Sequence, residues 1–161
     1  MIYKIAARAD FPDSEQFAKA VLHEQIGSLA DVPILRGAHG KPYLQNRAAA
    51  FSISHAGEKI LCAVHTKNIG ADIEKPRGYL DHVAKRICND TEYAFINGDA
   101  SRFLQVWTRK EAYVKLIGRG VSFGLKKVVV ADRNGLLSHI GEYAVQTDSD
   151  GEYVYSLVWE E

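Results

Sequence analysis

Asp72 and Glu74 stand two positions apart in Ile69-Gly70-Ala71-Asp72-Ile73-Glu74, a β-patterned run. Both carboxylates therefore project from one face of a strand, and Ala71 and Ile73 take the other. Two acids on one face repel unless a cation sits between them, and oxygen ligands at that spacing suit a hard ion such as magnesium. A solvated acidic strand end is the alternative reading. Further on, Trp107-Thr108-Arg109-Lys110-Glu111-Ala112-Tyr113-Val114-Lys115 puts Glu111 and Lys115 four residues apart, on one helix face. An exposed ion pair would have the same spacing and be worth a few tenths of a kcal/mol, roughly. The aromatic, apolar character of the segment and the Gly118-Arg119-Gly120 that follows, a turn able to bring backbone close to a ligand, make it a site candidate. In Phe51-Ser52-Ile53-Ser54-His55, the two serines share a strand face. Ser54 and His55 can donate hydrogen bonds to phosphate oxygens, although a histidine at a strand end also serves as a surface or capping residue. Gly40-Lys41-Pro42-Tyr43 places a positive charge on a stiffened loop, and neither a P-loop nor a GxGxxG fingerprint occurs.

The elements that must hold these residues alternate in a definite order. Residues 2–6 form a short strand, and apolar residues from Phe17 to Leu29 recur at helical spacing behind an N-cap at Asp13 or Ser14, with Gly27 near the helix end. A loop with Gly37, Gly40 and Pro42 leads to strands at 51–54, 60–65 and 69–73. After the break at Pro76-Arg77-Gly78, helical spacing returns through Leu80, Val83 and Ile87 and again from Phe103 to Leu116. Strand character follows at 126–131, 143–146 and 153–159, with turns at Asp132–Gly135 and Asp148–Gly151. The order helix-then-strands occurs twice, which predicts an α+β fold of two similar, pseudo-symmetric halves, residues 1–75 and 76–161, with the active site in the cleft between them.

Composition narrows the function classes. The chain has 161 residues, 47% of them hydrophobic, enough for a core without disulfide or metal staples. Lys plus Arg and Asp plus Glu are 20 each, so no net field favours nucleic acid or an anionic membrane as partner, and any anion site must be local. Cys62 and Cys88 lack CxxC spacing and read as reduced core thiols. No signal peptide or long apolar run is present, so the expected compartment is the cytoplasm.

Taken together and in order, Gly40-Lys41-Pro42, Phe51-Ser52-Ile53-Ser54-His55, Gly70-Ala71-Asp72-Ile73-Glu74, Trp107 to Lys115 and Gly118-Arg119-Gly120 resemble the 4'-phosphopantetheinyl transferases of the surfactin-synthetase-activating type. The likeness runs from about residue 15 to about residue 130, and Ala84–Cys88 with Thr91-Glu92-Tyr93 is similar to the family's connecting helix. The resemblance implies transfer of 4'-phosphopantetheine from coenzyme A to a serine of an apo acyl or peptidyl carrier protein, magnesium dependent, with release of adenosine 3',5'-bisphosphate. It implies that Asp72, Glu74 and Glu111 ligate magnesium on the coenzyme A diphosphate. Glu111 would also be the general base, and Lys115 would stabilise charge on the phosphates. Ser54 and His55 would contact those phosphates, and Lys41 and Pro42 would lie near the adenine end. A working site within one chain implies a monomer. Members of this type are longer and carry an early Arg/Lys-rich segment that grips the ribose phosphate; here His23 holds the place of an arginine in that grip. The alternative is a catalytically impaired coenzyme A or nucleotide-binding protein of the same fold.

Overall fold

The computed structural model describes residues 1–120 and 123–161. Strand β1 spans Ile2–Ala7. The Asp13 carboxylate then accepts from the N–H groups of Glu15 and Gln16, satisfying donors that a helix start leaves orphaned, and α1 runs Ser14–Ile26 to a C-cap at Gly27. The loop expected around Gly37 and Gly40 holds a small hairpin, β2 (Ile34–Arg36) with β3 (Pro42–Leu44). Three strands follow: β4 (Ala50–Ala56), β5 (Lys59–His65) and β6 (Ile69–Glu74). Helices α2 (Asp81–Ile87), α3 (Asp90–Ile96) and α4 (Ala100–Ile117) come next, α3 starting on a capping box between Asn89 and Glu92. The chain closes with the two-residue strands β7 (Ala131–Asp132), β8 (Gly135–Leu136) and β9 (His139–Ile140), then β10 (Tyr143–Ser149) and β11 (Val154–Glu160).

The fold is α+β. One antiparallel sheet has the order β1-β5-β4 and a second the order β6-β11-β10-β9. Strand β6, the last element of residues 1–75, thus hydrogen-bonds along β11, with Asp72 opposite Ser156. Helix α1 packs Phe17, Ala18, Val21 and Leu22 with Phe51, Cys62 and Val64 of the first sheet. Helix α4 buries Phe103, Leu104 and Val106 with Val145, Val154 and Val158 of the second. A third apolar cluster, including Leu61, Ala63, Ala71, Ile73, Tyr155 and Leu157, joins the two sheets. Both cysteines are buried free thiols, and burial pushes Cys62 up to about 12 and Cys88 to about 11. Among the described residues no helix is long and apolar enough to cross a membrane.

The strand expected at 126–131 is not formed, except for Ala131 in β7; a 3-10 turn occupies Leu125–Lys127. Buried side chains take the backbone groups that a neighbouring strand would have paired. The Lys110 ammonium donates to the carbonyls of Leu125 and Val128, and the Glu92 carboxylate accepts from the Val130 N–H at 2.8 Å. Lys110 and Glu92, both with fully buried side chains, pair with each other at 2.8 Å. Sequence patterning could not foresee this, because the hydrophobic run Val128-Val129-Val130 has the β-branched character of a strand.

Candidate active site

Strands β4 and β6 are facing edges of the two sheets, and side chains meet free backbone groups of β6 at Ile69 and Ala71. The Ser52 hydroxyl accepts from the Ala71 N–H at 3.0 Å. The Lys41 ammonium donates to the carbonyls of Ile69 (3.3 Å) and Leu116 (2.5 Å), tying the start of β6 to the last turn of α4. Burial holds Lys41 down to about 8.

The other edge-on relation is between β6 and α4. Pleating puts Gly70, Asp72 and Glu74 on the face beneath α4, and Ala71 and Ile73 go to the inter-sheet core, as their alternation requires. Gly70 admits the helix: a Cβ built there would lie 1.9 Å from the Ala112 carbonyl oxygen and 2.5 Å from the Leu116 nitrogen. On α4, Trp107, Glu111 and Lys115 recur every fourth residue and form one stripe over β6. The Trp107 Nε1–H donates to Glu74 Oε1 at 2.9 Å, and Arg77 lies 3.7 Å from the same oxygen. At the other end of the stripe, Lys115 Nζ donates to Asp72 Oδ1 at 2.6 Å and to Ser54 Oγ at 2.8 Å. Ser54 in turn donates to Asp72 Oδ1 at 2.8 Å.

These contacts leave one oxygen alone. Asp72 Oδ2 is buried and has no hydrogen-bond partner among the described residues. The acids also act on one another: burial first and the Asp72 charge second raise Glu74 and Glu111 above the usual glutamate value, with Lys115 opposing in both cases. They do not converge as a ready-made cluster. Among the described residues no three His, Cys, Asp or Glu side chains are gathered so as to hold a metal ion, since Glu74 is turned to Trp107 and Arg77. The donor set nonetheless fits a hard divalent cation: three carboxylates close enough to destabilise one another's charge, one with a buried oxygen that lacks a partner.

A cavity of about 460 Å³ opens beside this constellation, lined by Arg36, His39, Lys41, Pro42, His55, Glu111 and Lys115 among others. It brings His55, exposed at the end of β4, together with Glu111 and Lys115 of α4 and with the Lys41–Pro42 corner of the hairpin. Ser54 is not in the lining and points instead to Asp72. His23 is elsewhere, with Nε2 at 2.7 Å from Asp31 Oδ1. Arg36 and His39, which line this pocket, were given no role from sequence; their position on either side of Gly37, just ahead of Gly40-Lys41-Pro42, was the available signal. Ser52 and Lys110 were named only within their motifs and given no role of their own, because their partners are distant in sequence.

The family model described as the 4'-phosphopantetheinyl transferase superfamily matches residues 68–158. Among curated proteins, the chain is 38% identical over 93 residues to a 4'-phosphopantetheinyl transferase of Bacillus subtilis, covering 54% of this chain and 42% of that protein. It is 32% identical over 102 residues to the 4'-phosphopantetheinyl transferase Sfp of Bacillus subtilis strain 168, covering 60% and 46%. A third relative, the L-aminoadipate-semialdehyde dehydrogenase-phosphopantetheinyl transferase of Pongo abelii, is 30% identical over 152 residues, covering 81% and 49%. The chain therefore spans less than half the length of these relatives. The matched segment begins just before β6 and ends within β11, so it contains Asp72, Glu74, Glu111 and Lys115 in the arrangement just described. On that match the chain belongs to the 4'-phosphopantetheinyl transferase superfamily.

Proposed function

We propose that this protein transfers the 4'-phosphopantetheine group of coenzyme A to a serine of an apo acyl or peptidyl carrier protein, in a magnesium-dependent reaction that releases adenosine 3',5'-bisphosphate. The observation that carries the reading is the stripe Trp107–Glu111–Lys115 lying over Asp72 and Glu74, with Glu111 and Lys115 at the wall of a cavity whose other lining residues include Arg36, His39 and His55. An anionic diphosphate entering that cavity meets cationic and hydrogen-bonding groups in a chain whose net charge is zero.

The division of labour follows from chemistry. Phosphoryl transfer from a diphosphate needs positioning and charge neutralisation more than covalent help. Asp72, Glu74 and Glu111 would hold magnesium, which when bound offsets the charge of the diphosphate. Lys115 is placed to donate to a phosphate oxygen, and His55 can add a second donor from β4. Glu111, raised by burial and by Asp72, is a better proton acceptor than an ordinary carboxylate, and we assign it the carrier serine proton. Lys41 and Pro42 shape the end of the cavity where the adenine would lie, and there Arg36 supplies a cation and His39 a hydrogen-bonding ring for the ribose phosphate. We read the site as lying between segments 1–75 and 76–161, the two halves of the expected pseudo-symmetric fold, and as working within one chain, a monomer. The reaction is assigned to the cytoplasm.

Incubation with coenzyme A, magnesium and a panel of apo carrier proteins should add one phosphopantetheine mass to a carrier serine, read by intact-mass spectrometry. Folded protein that binds coenzyme A and modifies no carrier would replace this reading with that of a catalytically impaired coenzyme A-binding protein.

A further inference from the structure

We propose that Ser54 is a positioning residue for the Asp72 carboxylate: with Lys115 it occupies Oδ1 and leaves Oδ2 as the oxygen presented to a divalent cation. The proposal rests on the magnesium-dependent reading above and assigns Ser54 a different task from phosphate contact.

The direction of each hydrogen bond is dictated by the chemistry of the groups. An ammonium has no acceptor, so Lys115 Nζ donates to Ser54 Oγ at 2.8 Å. The single Ser54 proton then goes to Asp72 Oδ1, also at 2.8 Å, and Lys115 donates a second bond to the same oxygen at 2.6 Å. Among the described residues Oδ1 has two donors and Oδ2 none, although Asp72 is only 5% exposed. A buried carboxylate oxygen without a partner is costly, and such groups in folded proteins meet a donor, a water or a cation. Rotation of the carboxylate, which would exchange the two oxygens, is opposed by both bonds to Oδ1.

Ser54 itself is 7% exposed, outside the cavity lining, and has no proton left for a phosphate. Its neighbour on the same strand face, Ser52, fixes the backbone one residue away through the Ala71 N–H. The two serines therefore set β6 in register and the Asp72 carboxylate in rotation from the opposing edge strand. Groups that orient a ligating carboxylate in this way typically change metal affinity by about 10–100-fold when removed.

The test is a titration of Mn²⁺, standing in for magnesium, into the full chain saturated with coenzyme A, following free Mn²⁺ by electron paramagnetic resonance. Coenzyme A binding is measured separately in EDTA. Ser54→Ala should weaken Mn²⁺ binding by about tenfold or more and leave coenzyme A binding in EDTA unchanged. Ser54→Thr, which keeps the hydroxyl, should bind Mn²⁺ as the parent does. If Ser54→Ala melts early, Ser54→Cys against Ser54→Thr decides, the weaker thiol donor losing affinity and the hydroxyl retaining it. Parental Mn²⁺ affinity in Ser54→Ala, failure of the parent to bind Mn²⁺, or loss of coenzyme A binding in EDTA with Mn²⁺ binding intact would each overturn the proposal. A carrier assay on the parent separates the two claims, because absent transfer with the Ser54 results as expected sinks only the transferase reading.

Discussion

Replacing Gly70 with alanine adds one methyl group at the point where β6 passes under α4, and the structure sets the size of the consequence. The backbone of Gly70 is not in the left-handed region, so alanine brings no conformational penalty of its own, and the effect is one of space. The new Cβ would sit 1.9 Å from the Ala112 carbonyl oxygen and 2.9 Å from the Leu116 Cβ, where ordinary contact begins at 3.4 Å. Backbone lies on both sides, so no side chain can swing away, and α4 must retreat by roughly 1.5 Å. Overpacking of this kind costs about 1–3 kcal/mol or more. For a chain of this length that lowers the melting temperature by roughly 2–4 °C per kcal/mol. The same retreat would stretch the 2.6 Å contact of Lys115 with Asp72 to about 4 Å, beyond a hydrogen bond. A misplacement of about 1 Å at a reacting centre costs about a hundredfold in rate, so transfer should fall at least that far. The assay is carrier modification by mass spectrometry alongside thermal melting. Gly78→Ala is the control, since a Cβ there meets nothing within 4 Å. Gly70→Ala protein with parental melting temperature and parental rate would refute the reasoning, because α4 could not then lie where the site requires it.

The carboxylate cluster and the buried ion pair lead to two further expectations. Glu111 has a folded-state value raised by burial and by Asp72, so its ionisation opposes folding. Glu111→Gln should therefore raise the melting temperature in metal-free buffer at pH 7 while lowering transfer by about a hundredfold or more. The stabilisation should shrink as pH falls through the raised folded-state value and vanish below the usual glutamate value of 4.5, where the parental carboxylate is protonated in both states. A melting temperature that drops at pH 7 would contradict this. Lys110→Met leaves Glu92 charged and unpaired in the core, so urea denaturation should show a loss of about 3–5 kcal/mol, most of it recovered in the double variant Lys110→Met/Glu92→Met. Equal losses in the single and double variants would show that the pair matters only through packing.

Local pattern was enough to locate most of the longer elements and the acids within them. Alternation in Ile69–Glu74 put Asp72 and Glu74 on one face, and the four-residue spacing from Trp107 to Lys115 made a stripe; both hold in the structure because pleat and helix periods are properties of adjacent residues. Asp13 and Gly27 marked the ends of α1 for the same reason. What sequence could not decide is which edges meet. Whether Ser54 turns to a phosphate or to Asp72, whether Lys110 braces a turn or contacts substrate, and whether residues 126–131 form a strand all depend on groups distant in the chain, brought together only by packing. The same holds for the solitary Oδ2 of Asp72, which exists because Ser54 on one edge strand and Lys115 on α4 both reach the other oxygen. Residue types and spacing determined which groups are available for chemistry; the juxtaposition of β4, β6 and α4 decided which atom of each is left free to act, because a donor spent on a buried neighbour cannot also serve a ligand.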